Sequence, residues 1–195
     1  MKILKNIGIA LGIIFFIAAI GIYFLPRQFS VSNSIVINKP IDVVYGQLSD
    51  FNGWNKWSPW AEEDPQAKTM VEGTPGIKGH KMSWDGAKVG VGSMTINWTR
   101  KNESIHSDLE FVKPFEGHDK DIWTLAPDGN TTKVTWTNSG GLPYPFARLF
   151  GLSVNSMMDK EHVKGLDNLK KYCESLPVPE PVVAMADSTA SSQPM

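Results

Sequence analysis

The chain has 195 residues, 42% of them hydrophobic and 10% aromatic, with 19 Lys and Arg against 20 Asp and Glu and a formal net charge of -1. That balance gives no basic surplus to suggest nucleic acid and no charge block to suggest a polyelectrolyte partner. The single cysteine, Cys173, excludes an internal disulfide and any multi-cysteine metal site.

Residues 7–25, IGIALGIIFFIAAIGIYFL, carry no charge and no proline. As a helix, about 19 residues at 1.5 Å each reach about 28 Å, close to the roughly 30 Å hydrocarbon core of a bilayer. Pro26 and Arg27 end the run on one side, and Lys2, Lys5 and the amino terminus flank the other. Residues 1–27 are therefore expected to be an uncleaved transmembrane anchor. A cleaved secretory signal is the competing assignment, but its apolar stretch is shorter and ends in a small-x-small site, whereas Ile20, Gly21, Ile22, Tyr23 and Phe24 follow Ala19 here. A buried core helix is the third. The excess of positive charge before the run places the N-terminus in the cytoplasm and the rest of the chain across the membrane. The expected location is thus the cell inner membrane, single-pass, with a periplasmic C-terminal domain.

Phe29 to Ile37 alternates as a strand, with Phe29, Val31, Ile35 and Ile37 on one face and Ser30, Ser32 and Ser34 on the other. Pro40 opens a short helix over 41–48, and Asp50 can cap a second around 51–56. Strands are expected at 68–72, 79–84, 89–99, 105–111, 120–125 and 132–137. Asp85-Gly86 is a hairpin turn signal, and Pro127-Asp128-Gly129-Asn130 is another turn. On the strand 89–99, Met94, Ile96 and Trp98 share a face. On the strand 105–111, His106, Asp108 and Glu110 oppose Ile105, Leu109 and Phe111, which sends the polar set to water.

From Pro145 a long helix runs to about Leu176, weakened at Gly151. Met158, His162, Gly165, Leu169, Cys173 and Leu176 recur along it at three- and four-residue steps, one continuous apolar face. Residues 177–195 are rich in Pro, Ser and Ala without periodicity and are expected to be a disordered tail. The domain proper is then 28–176. Its order is a strand, two short helices, a run of antiparallel strands and one long amphipathic helix. The fold class is α+β: a helix-grip, in which a curved antiparallel sheet of about six to seven strands wraps round the C-terminal helix, preceded by the N-terminal transmembrane helix.

Three segments carry a family resemblance: SIVINKPIDVVYGQLSDFNGWNKWSPW at 34–60, WDGAKVGVGSM at 84–94 and GLDNLKKYCE at 165–174. Within the helix-grip order they resemble the SRPBCC superfamily, the polyketide cyclase/dehydrase and START-like lipid-binding group, and within it a membrane-anchored bacterial branch. The resemblance covers residues 29–176. It implies the fold, and it implies a hydrophobic small molecule or lipid held between helix and sheet. It brings no universal catalytic motif to carry over residue by residue.

Candidate cavity residues follow from spacing. Trp54, Trp57 and Trp60 step by three, so one helical face would present an aromatic mouth; packing onto the sheet edge is the plainer alternative. His162, between Met158 and Gly165 on the apolar stripe, would be a polar handle inside the cavity, or else a core histidine bonded to one backbone group. Gly165 at mid-helix suggests close approach of the sheet or of a ligand. Trp98 and Trp123 are the candidate inward aromatics. No catalytic residue, metal ligand or cofactor is expected: phosphate loops, nucleophile elbows and paired cysteines are absent, and His80 and His118 lack ligand spacing. A ligand-binding module, an envelope interaction domain with a filled core, and a cyclase/dehydratase-type enzyme using His162 or a cavity tyrosine all remain open. Cavity volume separates the first two.

Overall fold

The structure, a computed structural model, describes residues 2–177; the tail assignment falls, from residue 178 on, outside the described residues. The elements are α1 (Lys2–Tyr23), β1 (Gln28–Ile37), α2 (Ile41–Ser49), a 3-10 turn (Phe51–Lys56), α3 (Pro59–Glu63), β2 (Lys68–Glu72), β3 (Lys81–Gly86), β4 (Gly90–Arg100), β5 (Ser104–Lys113), β6 (Gly117–Asp128), β7 (Thr131–Gly141) and α4 (Phe146–Ser175). The protein is thus α+β, with seven strands in one sheet ordered β1-β7-β6-β5-β4-β3-β2 and every neighbouring pair antiparallel.

Alternation decides which face of the sheet is covered. Phe29, Val31 and Ile37 of β1, Ile105 of β5, Trp123 and Leu125 of β6, and Val134 and Trp136 of β7 are all buried. α4 lies over this face with Val154, His162, Gly165, Leu166, Leu169 and Cys173 inward. Backbone and side-chain contacts fasten its C-terminal half to β1 and the following turn. Lys170 Nζ donates to the Val36 carbonyl at 2.6 Å, Glu174 Oε1 accepts from Asn38 N at 2.9 Å, and the half-turn after Ser175 is closed by Lys39 Nζ donating to the Leu176 carbonyl. Two hydrophobic clusters result. The larger joins α2, the 3-10 turn, the sheet and Leu166, Leu169 and Cys173 of α4; the smaller consists of Phe29, Val31, Leu142 and Val154.

α1 is long and apolar enough to cross a membrane. Its large side chains from Ile3 to Ile17 are exposed, so it is not a core helix.

Two local readings of the sequence need correction. The hairpin after β3 does not turn at Asp85-Gly86: both residues stay in the strand, Gly86 pairs with Gly90, and the loop is Ala87–Val89. Gly90 carries the left-handed backbone (φ 72°) that a three-residue hairpin loop needs, and Asp64 Oδ2 clasps the loop by accepting from Lys88 N at 2.8 Å. In β4 the register shifts between Ile96 and Trp98, leaving Asn97 as an extra residue. This bulge reverses the alternation, so Met94 and Ile96 point inward while Trp98 turns to the outer face, where it meets His106 edge-on.

Candidate functional site

The two clusters do not close on each other. Between them lies a cavity of about 1050 Å³, bordered by Trp54, Met82, Met94 and Trp136 of the larger cluster and by Phe29, Leu142 and Val154 of the smaller. Trp60 of α3, Trp84 of β3, and Leu109 and Phe111 of β5 complete an apolar wall. Met158 and His162 enter it from α4.

The small residues of the sheet are where they must be to shape this wall. A β-carbon at Gly92 would meet the Trp84 ring at 2.5 Å and the Glu110 carbonyl at 2.6 Å. One at Gly140 would run into the Asp119 carboxylate, its cross-strand neighbour, and into the Phe29 ring at 2.6 Å. Glycine at 140 is what lets Asp119 lie over the inward face.

One region of the wall is polar. Asp119 and Asp121 of β6, Asn138 of β7 and His162 of α4 all line the cavity. Trp136 links them: its Nε1 donates to Asp121 Oδ1 at 2.6 Å, and its ring stacks on the His162 imidazole with centroids 4.0 Å apart and planes 7° from parallel. Asn138 Nδ2 also donates to Asp121 Oδ1, at 3.4 Å. Further polar atoms go unused. Asp121 Oδ2, Asn138 Oδ1 and both ring nitrogens of His162 are buried without a hydrogen-bond partner. Four such atoms at one place depart from the rule that buried polar groups are paired. The contrast with His80 is direct: equally buried, it accepts from Phe51 N at 3.0 Å through Nε2 and lies 3.0 Å from the Glu72 carbonyl through Nδ1.

Burial also moves the titrations. Loss of water pushes Asp121 up to about 7, against the stabilising hydrogen bonds of Trp136 and Asn138, and pushes Asp119 up to about 6. The same effect lowers His162 to about 4, only partly offset by Asp159. At neutral pH, then, His162 is an uncharged donor and acceptor, and Asp121 stands near the midpoint of its titration. The floor can hold a neutral hydroxyl, carbonyl or amide, and it can exchange a proton. It has no fixed positive charge to hold an anion. Among the described residues no group of three His, Cys, Asp or Glu side chains is arranged to hold a metal ion.

The residues proposed from spacing divide clearly. Trp54, Trp60, Met158 and His162 line the cavity. Trp57 and Trp123 are buried behind the wall, edge-on to each other at 5.9 Å, with Trp123 stacked on Trp136 at 4.4 Å. Gly165 packs against the wall from outside: a β-carbon there would lie 2.9 Å from Trp136 Cζ3 and 3.2 Å from Pro59 Cδ. Trp98 is on the far face of the sheet. Asp119, Asp121, Trp136 and Asn138 were not singled out, although Asp121 alternates with Trp123 and Leu125, and Asn138 with Trp136 and Val134.

The family described as polyketide cyclase/dehydrase and lipid transport matches residues 28–174. Solved structures similar to this chain include protein CV1439 from Chromobacterium violaceum, 18% identical, with 74% of this chain and 96% of the other aligned and a TM-score of 0.56. A protein from Nitrosospira multiformis is 19% identical, with 75% and 97% covered and a TM-score of 0.56. The Zhui aromatase/cyclase from Streptomyces sp. R1128 is 16% identical, with 76% and 94% covered and a TM-score of 0.57. No curated protein matches.

Proposed function

Because the chain belongs to the polyketide cyclase/dehydrase and lipid transport family, we propose that it is a binding module for a hydrophobic small molecule or lipid, tethered to a membrane by α1. The observation that carries this is the cavity itself. Ligand pockets measure about 300–1,000 Å³, are mostly apolar, and keep a few polar groups for orientation. A space of about 1050 Å³ walled by tryptophan, methionine and leucine, with unpartnered atoms on His162, Asp121 and Asn138, has that character. The apolar wall supplies affinity. The floor disfavours an anion, which would meet two carboxyls and no fixed positive charge, and its neutral imidazole and amide offer hydrogen bonds to a neutral polar end. An envelope domain with a filled core is a poorer account of so large a space.

Charge distribution around α1 supports a single pass with the N-terminus in the cytoplasm and the domain on the outer side of a bacterial inner membrane. A phosphatase fused at the C-terminus would be active in that orientation and inactive in the reverse one. A mature N-terminus near residue 25 in cell extracts would make α1 a signal peptide instead.

A second use of the same floor has one observation in its favour. A carboxyl titrating near 7 beside a neutral imidazole suits proton transfer, as in a cyclase- or dehydratase-type enzyme. Native mass spectrometry of the intact chain, purified in mild detergent, tests both. Binding predicts a hydrophobic adduct that organic extraction recovers unchanged. Catalysis predicts that added ligand returns with altered structure. A bare chain under all conditions would oppose a carrier.

A further inference from the structure

The cavity is not sealed, and one open side of it stands at the end of the domain where α1 leaves. Phe115 in the β5–β6 loop and Tyr144, Phe146 and Phe150 at the start of α4 line the opening while remaining exposed, Phe115 to 83% and Phe146 to 81%. Leu149 and Leu152 extend the apolar rim along α4.

Strand topology brings these pieces together. Gln28, the first residue of β1, pairs with Gly141, and Asp119 pairs with Gly140, so the β5–β6 loop, the end of β7 and the exit of α1 share one end of the sheet. Direct contacts fix the level. The Tyr144 hydroxyl donates to the Ala19 carbonyl at 3.3 Å, Arg148 Nη1 donates to the Tyr23 carbonyl at 2.6 Å, and Leu142 N donates to the Arg27 carbonyl at 2.7 Å. Ala19 lies inside the apolar run, about 6 Å below Tyr23, the last residue of α1, at 1.5 Å per helical residue. Tyr144 therefore reaches to a depth that a spanning helix holds within the membrane. The groups around the junction suit that level: the Arg148 guanidinium, buried and bonded to backbone carbonyls, lies 5.7 Å from the Tyr23 ring and 5.5 Å from the Tyr144 ring, and such amphipathic tyrosines are typical of a membrane interface. Glu116 shares the rim and keeps immersion at the headgroup boundary.

We propose that the cavity mouth docks on the bilayer leaflet at the C-terminal end of α1, with Phe115, Phe146 and Phe150 in the lipid, so that a hydrophobic ligand passes between leaflet and cavity without entering water. This rests on α1 remaining as an anchor. Spin labels test it on the full chain in vesicles of phosphatidylethanolamine and phosphatidylglycerol. Phe146→Cys and Phe150→Cys report on the rim, Phe16→Cys on the anchor, and Asn130→Cys on the exposed β6–β7 hairpin, about 30 Å from the rim along the ten residues of β1. Cys173 is buried and is left unlabelled. The ratio of oxygen to nickel-chelate collisions should be several-fold higher at positions 146 and 150 than at 130, and highest at 16. Lipid exposure at 16 with water exposure at 146 and 150 would overturn the docking and leave the anchor standing. Water exposure at 16 would overturn both. Shielding of 146 and 150 from oxygen and chelate alike would mean that protein, not lipid, covers the mouth, and would also overturn it.

Discussion

His162 lies flat on Trp136, ring centroids 4.0 Å apart, yet neither imidazole nitrogen has a partner. The stack supplies dispersion and fixes the ring; it does nothing for two polar atoms taken out of water, each worth about 1–3 kcal/mol when unsatisfied. A histidine held this way is a poor choice for a core and a good one for a pocket floor. Phenylalanine would keep the stack and remove the penalty.

His162→Phe should therefore stabilise the ligand-free protein by about 1–2 kcal/mol while weakening uptake of ligands that carry a hydroxyl or carbonyl. Urea unfolding of the detergent-solubilised chain, with and without bound ligand, reads both. Loss of stability without ligand would show that His162 does have a partner.

Asp121 should make stability fall as pH rises. Its carboxyl titrates near 7 when folded and near 3.8 otherwise, so between these values the folded chain holds the extra proton, and stability declines until Asp121 is ionised. Asp119 acts in the same direction but is finished sooner, near 6. His162 opposes them: with its folded value at about 4 against 6.5, it adds stability from about 4 to 6.5 and contributes no slope above. The clean window is thus above about 6.5, where most of the remaining slope comes from Asp121. Asp121→Asn keeps an acceptor for Trp136 Nε1, and should flatten the stability profile between about pH 6.5 and pH 8. An unchanged slope in the variant would place the titration elsewhere.

Much of the architecture was legible because it rests on periodicity. The β1 alternation, the inward Ile105 and Leu109 of β5, and the α4 stripe around His162 and Leu169 all repeat often enough to read. Trp98 was not, because one extra residue at Asn97 reverses the face and no nearby glycine or proline announces it. The polar floor was hidden for a different reason. Asp121 and Asn138 occupy inward positions by simple alternation, but buried carboxyls are rare enough that their polarity argues for the outer face. A cavity is what makes them tolerable, and a cavity is a gap between elements that no local pattern records.

Two tryptophans separate wall from surface. Trp54→Ala should cost about 3–5 kcal/mol, because its ring is buried against Phe51, Trp57 and Trp123. Trp98→Ala should stay within about 0.5 kcal/mol, as an exposed position on the outer face, and leave ligand uptake unchanged. Thermal unfolding of both variants checks the contrast; comparable losses would contradict the bulge.

Gly165→Leu should destabilise by about 1–3 kcal/mol, since the β-carbon alone already crowds Trp136 and Pro59. Unchanged stability in urea would mean that α4 sits farther from the sheet than 2.9 Å to Trp136 allows.

A ligand-binding module of this kind must take an apolar molecule into the cavity. The direct measurement is titration of the full chain in detergent with a dansyl-labelled fatty alcohol, reading energy transfer from the tryptophans of the wall. Met94 points inward on β4 and lines the space, so Met94→Trp should fill part of it. Saturable one-to-one uptake by the natural chain, weakened at least tenfold (about 1.4 kcal/mol) in Met94→Trp at equal folding, is the expected result. Uptake that never saturates, or that is the same in both proteins, would contradict a ligand-binding cavity.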